Sequence, residues 1–163
     1  MKIQQGQEAP GFSLYNSEKN KISREDLKGK NVVLLFFPQA FTSTCTKELC
    51  NVRDNIAAYN NTNAVVFGIS VDSVFTLAKF KEEQHLNFSL LSDFNKEVSA
   101  AYGCLYETFV FDMRGVSKRS AFVIDGQGIV QYSEVLEVAT DVPDFNAIQA
   151  VLSSLSSVNS LVS

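Results

Sequence analysis

The chain has 163 residues, 45% of them hydrophobic, with 13 Phe, no Trp and a formal net charge of −4. Such a composition is globular rather than disordered, and the length suits one hydrophobic core, so a single domain over residues 1–163 is expected. No dense run of Lys and Arg occurs, which excludes the electrostatic footprint of a nucleic-acid binder.

Residues Met1 to Glu8 hold no apolar stretch that could serve as a signal peptide. The longest apolar run, Val32 to Phe37, is far too short to span a bilayer. The expectation is therefore a cytoplasmic protein without a membrane partner. Three cysteines, at positions 45, 50 and 104, are too few and too odd in number for a structural disulfide framework. Catalysis, redox work or simple burial remain for them.

In chain order, Phe12 to Leu14 and Lys21-Ile22 flank a polar stretch and predict a hairpin. Ser23 to Leu27 reads as one helical turn closed by Gly29. Val32 to Phe37 is a continuous apolar run, as in a strand buried on both faces. A helix from about Ser43 to Tyr59 follows, then a second buried strand, Ala64 to Val71. Ser73 can cap a further helix that turns Val74, Leu77, Ala78 and Phe80 inward. Strand, helix, strand and helix in succession imply a parallel pair with a crossover.

Beyond this the pattern changes. Phe88 to Leu91 is a short apolar piece and Glu97 to Tyr102 a short helical one. Arg119 to Ile124 and Ile129 to Tyr132 are strands joined through Asp125-Gly126-Gln127-Gly128, a hairpin signal. Pro143 to Leu155 reads as a closing helix with a frayed polar tail after it. The expected class is α/β: a mixed central sheet with helices on both faces, thioredoxin-like in its order of elements.

Cys45 stands where the first buried strand has ended and a helix begins. A helix N-terminus stabilises negative charge and favours thiolate over thiol. On a helical wheel at ~100° per residue, Leu49, Val52, Ile56 and Tyr59 fall within about 40° of Cys45. Cys45 thus heads the core-facing stripe, and by position alone it could be a small buried hydrophobe. Three neighbours point further. Pro38 ends the strand, Thr42 or Ser43 can serve as N-cap, and free backbone N–H groups should lie close to the sulfur.

Cys50 is rotated by ~140° from Cys45, with the two Cα atoms roughly 8.6 Å apart in an intact helix. A disulfide needs less than ~7 Å, so these cysteines can bond only if the first turns unwind. The plain alternative for Cys50 is a partly exposed bystander thiol. His85, the one histidine, lies in the polar stretch from Lys81 and reads as a solvated residue near a helix end, against a Cys-His hydrolase. No P-loop, G-x-S-x-G or full dinucleotide fingerprint occurs, and C-x₄-C makes a poor zinc site. No cofactor or metal is therefore expected. C-x-x-C is also missing, which weakens a general disulfide reductase. Without a histidine base, an activated Cys45 needs a helix terminus and an arginine.

Pro38, Thr42 and Cys45 fit the pattern P-x-x-x-[TS]-x-x-C, and the chain resembles the peroxiredoxin family. Phe36 to Cys45 is most similar to the one-cysteine AhpE branch. Cys45-Thr46-Lys47-Glu48-Leu49-Cys50 with Arg53-Asp54 resembles the bacterioferritin comigratory protein (peroxiredoxin Q) branch. Gly68 to Asp72, Leu90 to Asp93, Ala101 to Gly103 and Arg119 to Asp125 extend the resemblance from about Gly6 to Leu155.

The resemblance implies a thiol-dependent peroxidase acting on hydrogen peroxide and organic hydroperoxides. Cys45 would be the attacking thiolate, Arg119 would hold its charge and polarise the peroxide, Thr42 would hydrogen-bond the peroxide, and Pro38 would shield the sulfur. Glu48 would orient an arginine. A sulfenic acid on Cys45 would condense with Cys50, although the AhpE side implies resolution by an external thiol. The reductant would be thioredoxin-like or a low-molecular-weight thiol. AhpE relatives imply a homodimer and peroxiredoxin Q relatives a monomer, and the sequence does not choose. Cys104 reads as a buried small residue. A redox-sensing binding module, in which oxidation unwinds the helix and alters partner contacts, is the alternative from another class.

Overall fold

The computed structural model describes residues 3–162, with side chains described up to residue 156. A two-stranded hairpin opens the chain, β1 (Ser13–Tyr15) against β2 (Lys21–Ser23), followed by a 3₁₀ turn at Arg24–Leu27. Asp26 accepts from the Ser23 backbone N–H at 3.0 Å and fixes the start of that turn.

The central sheet contains β3 (Asn31–Phe36), β4 (Ala64–Ser70), β5 (Ser89–Ser92), β6 (Ser120–Ile124) and β7 (Val130–Val135), in the order β5-β4-β3-β6-β7. The β3–β4 and β4–β5 pairs are parallel, while β3–β6 and β6–β7 are antiparallel. The sheet is mixed, as expected. The helices are α1 (Ser43–Asp54), α2 (Ile56–Asn60), α3 (Val74–Gln84), α4 (Glu97–Ala101) and α5 (Phe145–Val162).

Strand geometry explains why β3 is apolar from Val32 onward. Alternate side chains point to opposite faces. Val33, Leu35 and Phe37 enter a core with Leu49 and Val52 of α1, Leu77 and Phe80 of α3, and Ile148 and Leu152 of α5. Val32, Leu34 and Phe36 enter a second core with Phe12, Tyr102 and Val98 of α4. Helices therefore lie on both faces, with α4 and the N-terminal segment covering the less helical one.

Two differences from the sequence expectation have local causes. The helix expected over Ser43 to Tyr59 is broken at Asn55, whose φ/ψ of −119/19 is not helical. Asn55 donates its backbone N–H to Val52 O at 3.1 Å and its side-chain amide to Asn51 O at 2.8 Å, and so closes α1. The closing helix begins at Phe145 rather than Pro143, because Asp144 caps it: Ala147 N donates to Asp144 Oδ1 at 3.0 Å. It continues to Val162, past the expected end at Leu155. Ser73 caps α3 as expected, accepting from Thr76 N at 3.2 Å. Among the described residues no helix is long and apolar enough to cross a membrane.

Gly68 in β4 is closely packed on its side-chain side. A Cβ there would stand 2.7 Å from Leu90 Cδ2 and 3.2 Å from Phe37 Cε1. Gly68→Ala is expected to destabilise the fold by about 1–3 kcal/mol through overpacking, as read by chemical denaturation.

Candidate active site

The end of β3 delivers the chain into a tight turn, Pro38 to Thr42, and then into α1. Several polar contacts hold this turn. Asp72, just after β4, accepts from Ala40 N at 2.8 Å and from Ser70 Oγ at 2.6 Å. Thr42 Oγ1 donates to Gln39 O at 2.9 Å, and Gln39 Nε2 reaches Met113 Sδ at 3.3 Å. Phe41 adopts φ 68, costly for a bulky residue, with its ring edge-on to Phe80 at 5.1 Å. Thr42 occupies the N-cap position, but its side chain makes no capping hydrogen bond. The hydroxyl is committed to Gln39 O and is exposed, while Pro38 is buried.

Cys45 lies in the first turn of α1 and is fully buried. Arg119, one residue before β6, donates from Nη2 to Cys45 Sγ at 3.3 Å. Its Nη1 donates to Glu48 Oε1 at 2.8 Å. Nε and Nη2 also reach Ala139 O, at 3.3 and 2.9 Å. Arg119 is 1% exposed and Glu48 equally covered. Spacing on α1 explains the grouping: Cys45 and Glu48 are three residues apart and so lie on one side of the helix. The structure thus brings Cys45 and Glu48 each into direct contact with Arg119. Pro38 and Thr42 flank them in the preceding turn, without a hydrogen bond to the sulfur among the described residues.

Burial pushes the Glu48 carboxyl from its ordinary 4.5 up to about 7, and Arg119 offsets this only in part. Glu48 Oε2 is buried without a hydrogen-bond partner. Burial works against the Arg119 charge, but Glu48 and Cys45 outweigh it and hold that pKa above its ordinary value.

Cys50 lies half-buried on another side of α1. Its Sγ contacts Gln84 Oε1 at 3.6 Å, and Arg53 Nη1 donates to Gln84 O at 2.6 Å. All three cysteines are free thiols, and α1 is unbroken across Cys45 and Cys50. Cys104 is fully buried, and burial pushes its thiol up to about 12. His85 is exposed at the C-cap of α3.

Sequence reasoning missed Ala139, Asp72 and Gln84. A backbone carbonyl acceptor such as Ala139 O has no residue-type signature. Asp72 had a faint one, a polar residue just past a buried strand.

The profile of the AhpC/TSA family matches residues 5–133. The chain belongs to that family. A Coxiella burnetii relative carrying a peroxiredoxin bcp name is 40% identical over 132 residues, covering 80% of this chain and 87% of its own. Peroxiredoxin Bcp of Bacillus subtilis is 36% identical over 130 residues, covering 78% and 82%. Among solved structures, peroxidoxin BcpB from Mycobacterium tuberculosis superposes with a TM-score of 0.83 at 30% identity, covering 94% of this chain and 98% of that one. The chain is thus a peroxiredoxin with a thioredoxin-like fold, and by class a thiol-dependent peroxidase.

Glu48 also makes stability depend on pH. A carboxyl whose pKa is higher in the folded state holds a proton there that the unfolded chain has released. Stability should therefore fall as pH rises from 4.5 to about 7. Denaturant titrations of wild type and Glu48→Gln across this range should show that decline in wild type and a flatter profile in the variant.

Proposed function

We propose that this peroxiredoxin reduces hydrogen peroxide and small organic hydroperoxides at Cys45. The observation that carries the reading is the 3.3 Å contact from Arg119 Nη2 to Cys45 Sγ, in a site closed to water. Attack by the thiolate forms an S–O bond and breaks the O–O bond, so negative charge moves from sulfur to the leaving oxygen. A fixed guanidinium beside the sulfur can stabilise charge at both places without reorganising. Thr42 Oγ1, whose own proton goes to Gln39 O, accepts a hydrogen bond from the incoming peroxide, Pro38 keeps water from the sulfur, and Glu48 holds Arg119 in position. Because Cys45 is fully covered, a peroxide reaches it only through local motion.

The product is a Cys45 sulfenic acid, and in this reading the Cys50 thiol condenses with it to an intramolecular disulfide, releasing water. A thioredoxin-like protein or a low-molecular-weight thiol then restores both thiols, which suits a cytoplasmic location. A homodimer belongs to this reading, with exposed Phe41, Phe75, Phe94 and Phe111 as candidate contact residues. One observation favours a second reading, resolution by an external thiol. Cys50 is held toward Gln84 on a helix that is intact between the two cysteines.

Mass spectrometry after one equivalent of peroxide separates the two. A Cys45–Cys50 disulfide in wild type, with a sulfenic acid in Cys50→Ser, is expected. Sulfenic acid in both would leave the external thiol. Arg119→Met, which keeps most of the packed stem, should slow Cys45 oxidation by about 10²–10³-fold in stopped-flow measurements. An unchanged rate would remove Arg119 from the mechanism.

A further inference from the structure

The site buries two acids and one base together: Cys45, Glu48 and Arg119, each no more than 1% exposed. With both acids ionised the cluster would carry a net charge of −1 in a medium that solvates charge poorly. With one proton on the pair of acids it is neutral. A buried uncompensated charge is costly, so the neutral arrangement is favoured.

The contacts indicate which acid holds the proton when the sulfur is ionised. Arg119 donates to the sulfur through Nη2 and to Glu48 through Nη1, but it reaches only Oε1. Glu48 Oε2 is buried and has no hydrogen-bond partner among the described residues. An unpaired carboxylate oxygen there is more expensive than an unpaired hydroxyl. From neighbouring elements, Arg119 is the charged group that faces Glu48, and Tyr59 of α2 is the other titratable one. Burial, with Glu48 adding, raises the Tyr59 phenol, which is neutral at ordinary pH.

Peroxide cleavage reverses the charge pattern. The thiolate loses its charge as the S–O bond forms, and the leaving oxygen departs with the electron pair of the O–O bond and needs a proton. We infer that Glu48 supplies that proton, so that negative charge passes from sulfur to carboxylate while the buried cluster stays neutral. This rests on the Cys45 reading above.

The step balances. Thiolate, carboxylic acid and hydroperoxide become sulfenic acid, carboxylate and alcohol, or water when the substrate is hydrogen peroxide. Sulfur is oxidised by two electrons and the O–O bond is reduced by two. No proton is drawn from solvent. Before the step Arg119 faces a thiolate and a neutral acid, and afterwards a neutral sulfenic acid and a carboxylate. Its charge is matched by one anion throughout. The Glu48 pKa, raised by burial to about 7, agrees with this assignment.

Proton uptake tests it. In the Cys50→Ser background, which isolates the first step, a weakly buffered stopped-flow run with a pH indicator counts protons taken up per sulfenic acid formed. The pH is held below the Glu48 value of about 7, and the thiolate ultraviolet absorbance is recorded in the same samples. Protein with native Glu48 should take up well under one proton per sulfenic acid, and Glu48→Gln close to one. Difference infrared spectra of the protein with native Glu48 should lose a protonated-carboxyl band on oxidation, a readout that needs no substitution at Glu48. Full uptake with both side chains, and no carboxyl band lost, would overturn the Glu48 assignment while leaving the peroxidase reading intact. Absence of sulfenic acid in the same samples would overturn that reading and this inference with it.

Discussion

A cation with 1% of its surface exposed imposes conditions on everything around it. Arg119 meets them with three acceptors from two parts of the chain: Cys45 and Glu48 on α1, and Ala139 O in the segment after β7. Burying a guanidinium without partners would cost several kcal/mol. The sheet provides the alignment. In the β3–β6 pair Phe36 faces Ser120, so Arg119 comes one residue beyond the ladder, at the end where β3 leads toward Cys45. A slip in that register by one residue would turn the arginine to the other face. Position of the charge and topology of the sheet are therefore one constraint.

The same constraint explains the Pro38 to Thr42 turn. The sulfur must sit beneath the guanidinium, so the chain leaving β3 has little room before α1 starts. Asp72 ties the turn to the end of β4, and Phe41 accepts a positive φ with its ring against Phe80. Strain of this kind persists only where surrounding contacts over-determine it. Here those contacts come from β4, α3 and the Gln39–Met113 link.

Much of this was legible in the chain. Strands buried on both faces show as continuous apolar runs, which made β3 and β4 readable. The helical stripe headed by Cys45 placed Leu49 and Val52 in the core, where they lie. The break at Asn55 was hidden, because Ile56 and Tyr59 continue the stripe and the hydrophobic pattern does not register a single non-helical residue. The strand β7 extends to Val135 through Ser133 and Glu134, polar residues tolerated at a sheet edge, and the pattern stopped short of them. At the site, Cys45, Thr42 and Pro38 formed a local motif. Arg119 lies 74 residues downstream of Cys45, and only the family resemblance joined it to them. Ala139 contributes a backbone oxygen, which no residue identity encodes.

Helix α1 must satisfy opposing demands if Cys50 is to resolve Cys45. Intact, it aligns Cys45 and Glu48 under Arg119. For a disulfide it must open, since the helix holds the two sulfurs on different sides. Its composition fits a helix of limited intrinsic stability. It has 12 residues, begins Ser43-Thr44 without a side-chain cap, and ends at a polar break. Isolated helices of this length are marginal in water, so its order comes from packing. Leu49 and Val52 supply that packing from the inner face, while Arg53 and Cys50 rest on Gln84 of α3 from the outer one. Only the first two are deeply buried. Unwinding that begins at the first turn would thus release Cys45 before it disturbs Val52, leaving the C-terminal half of the helix as an anchor.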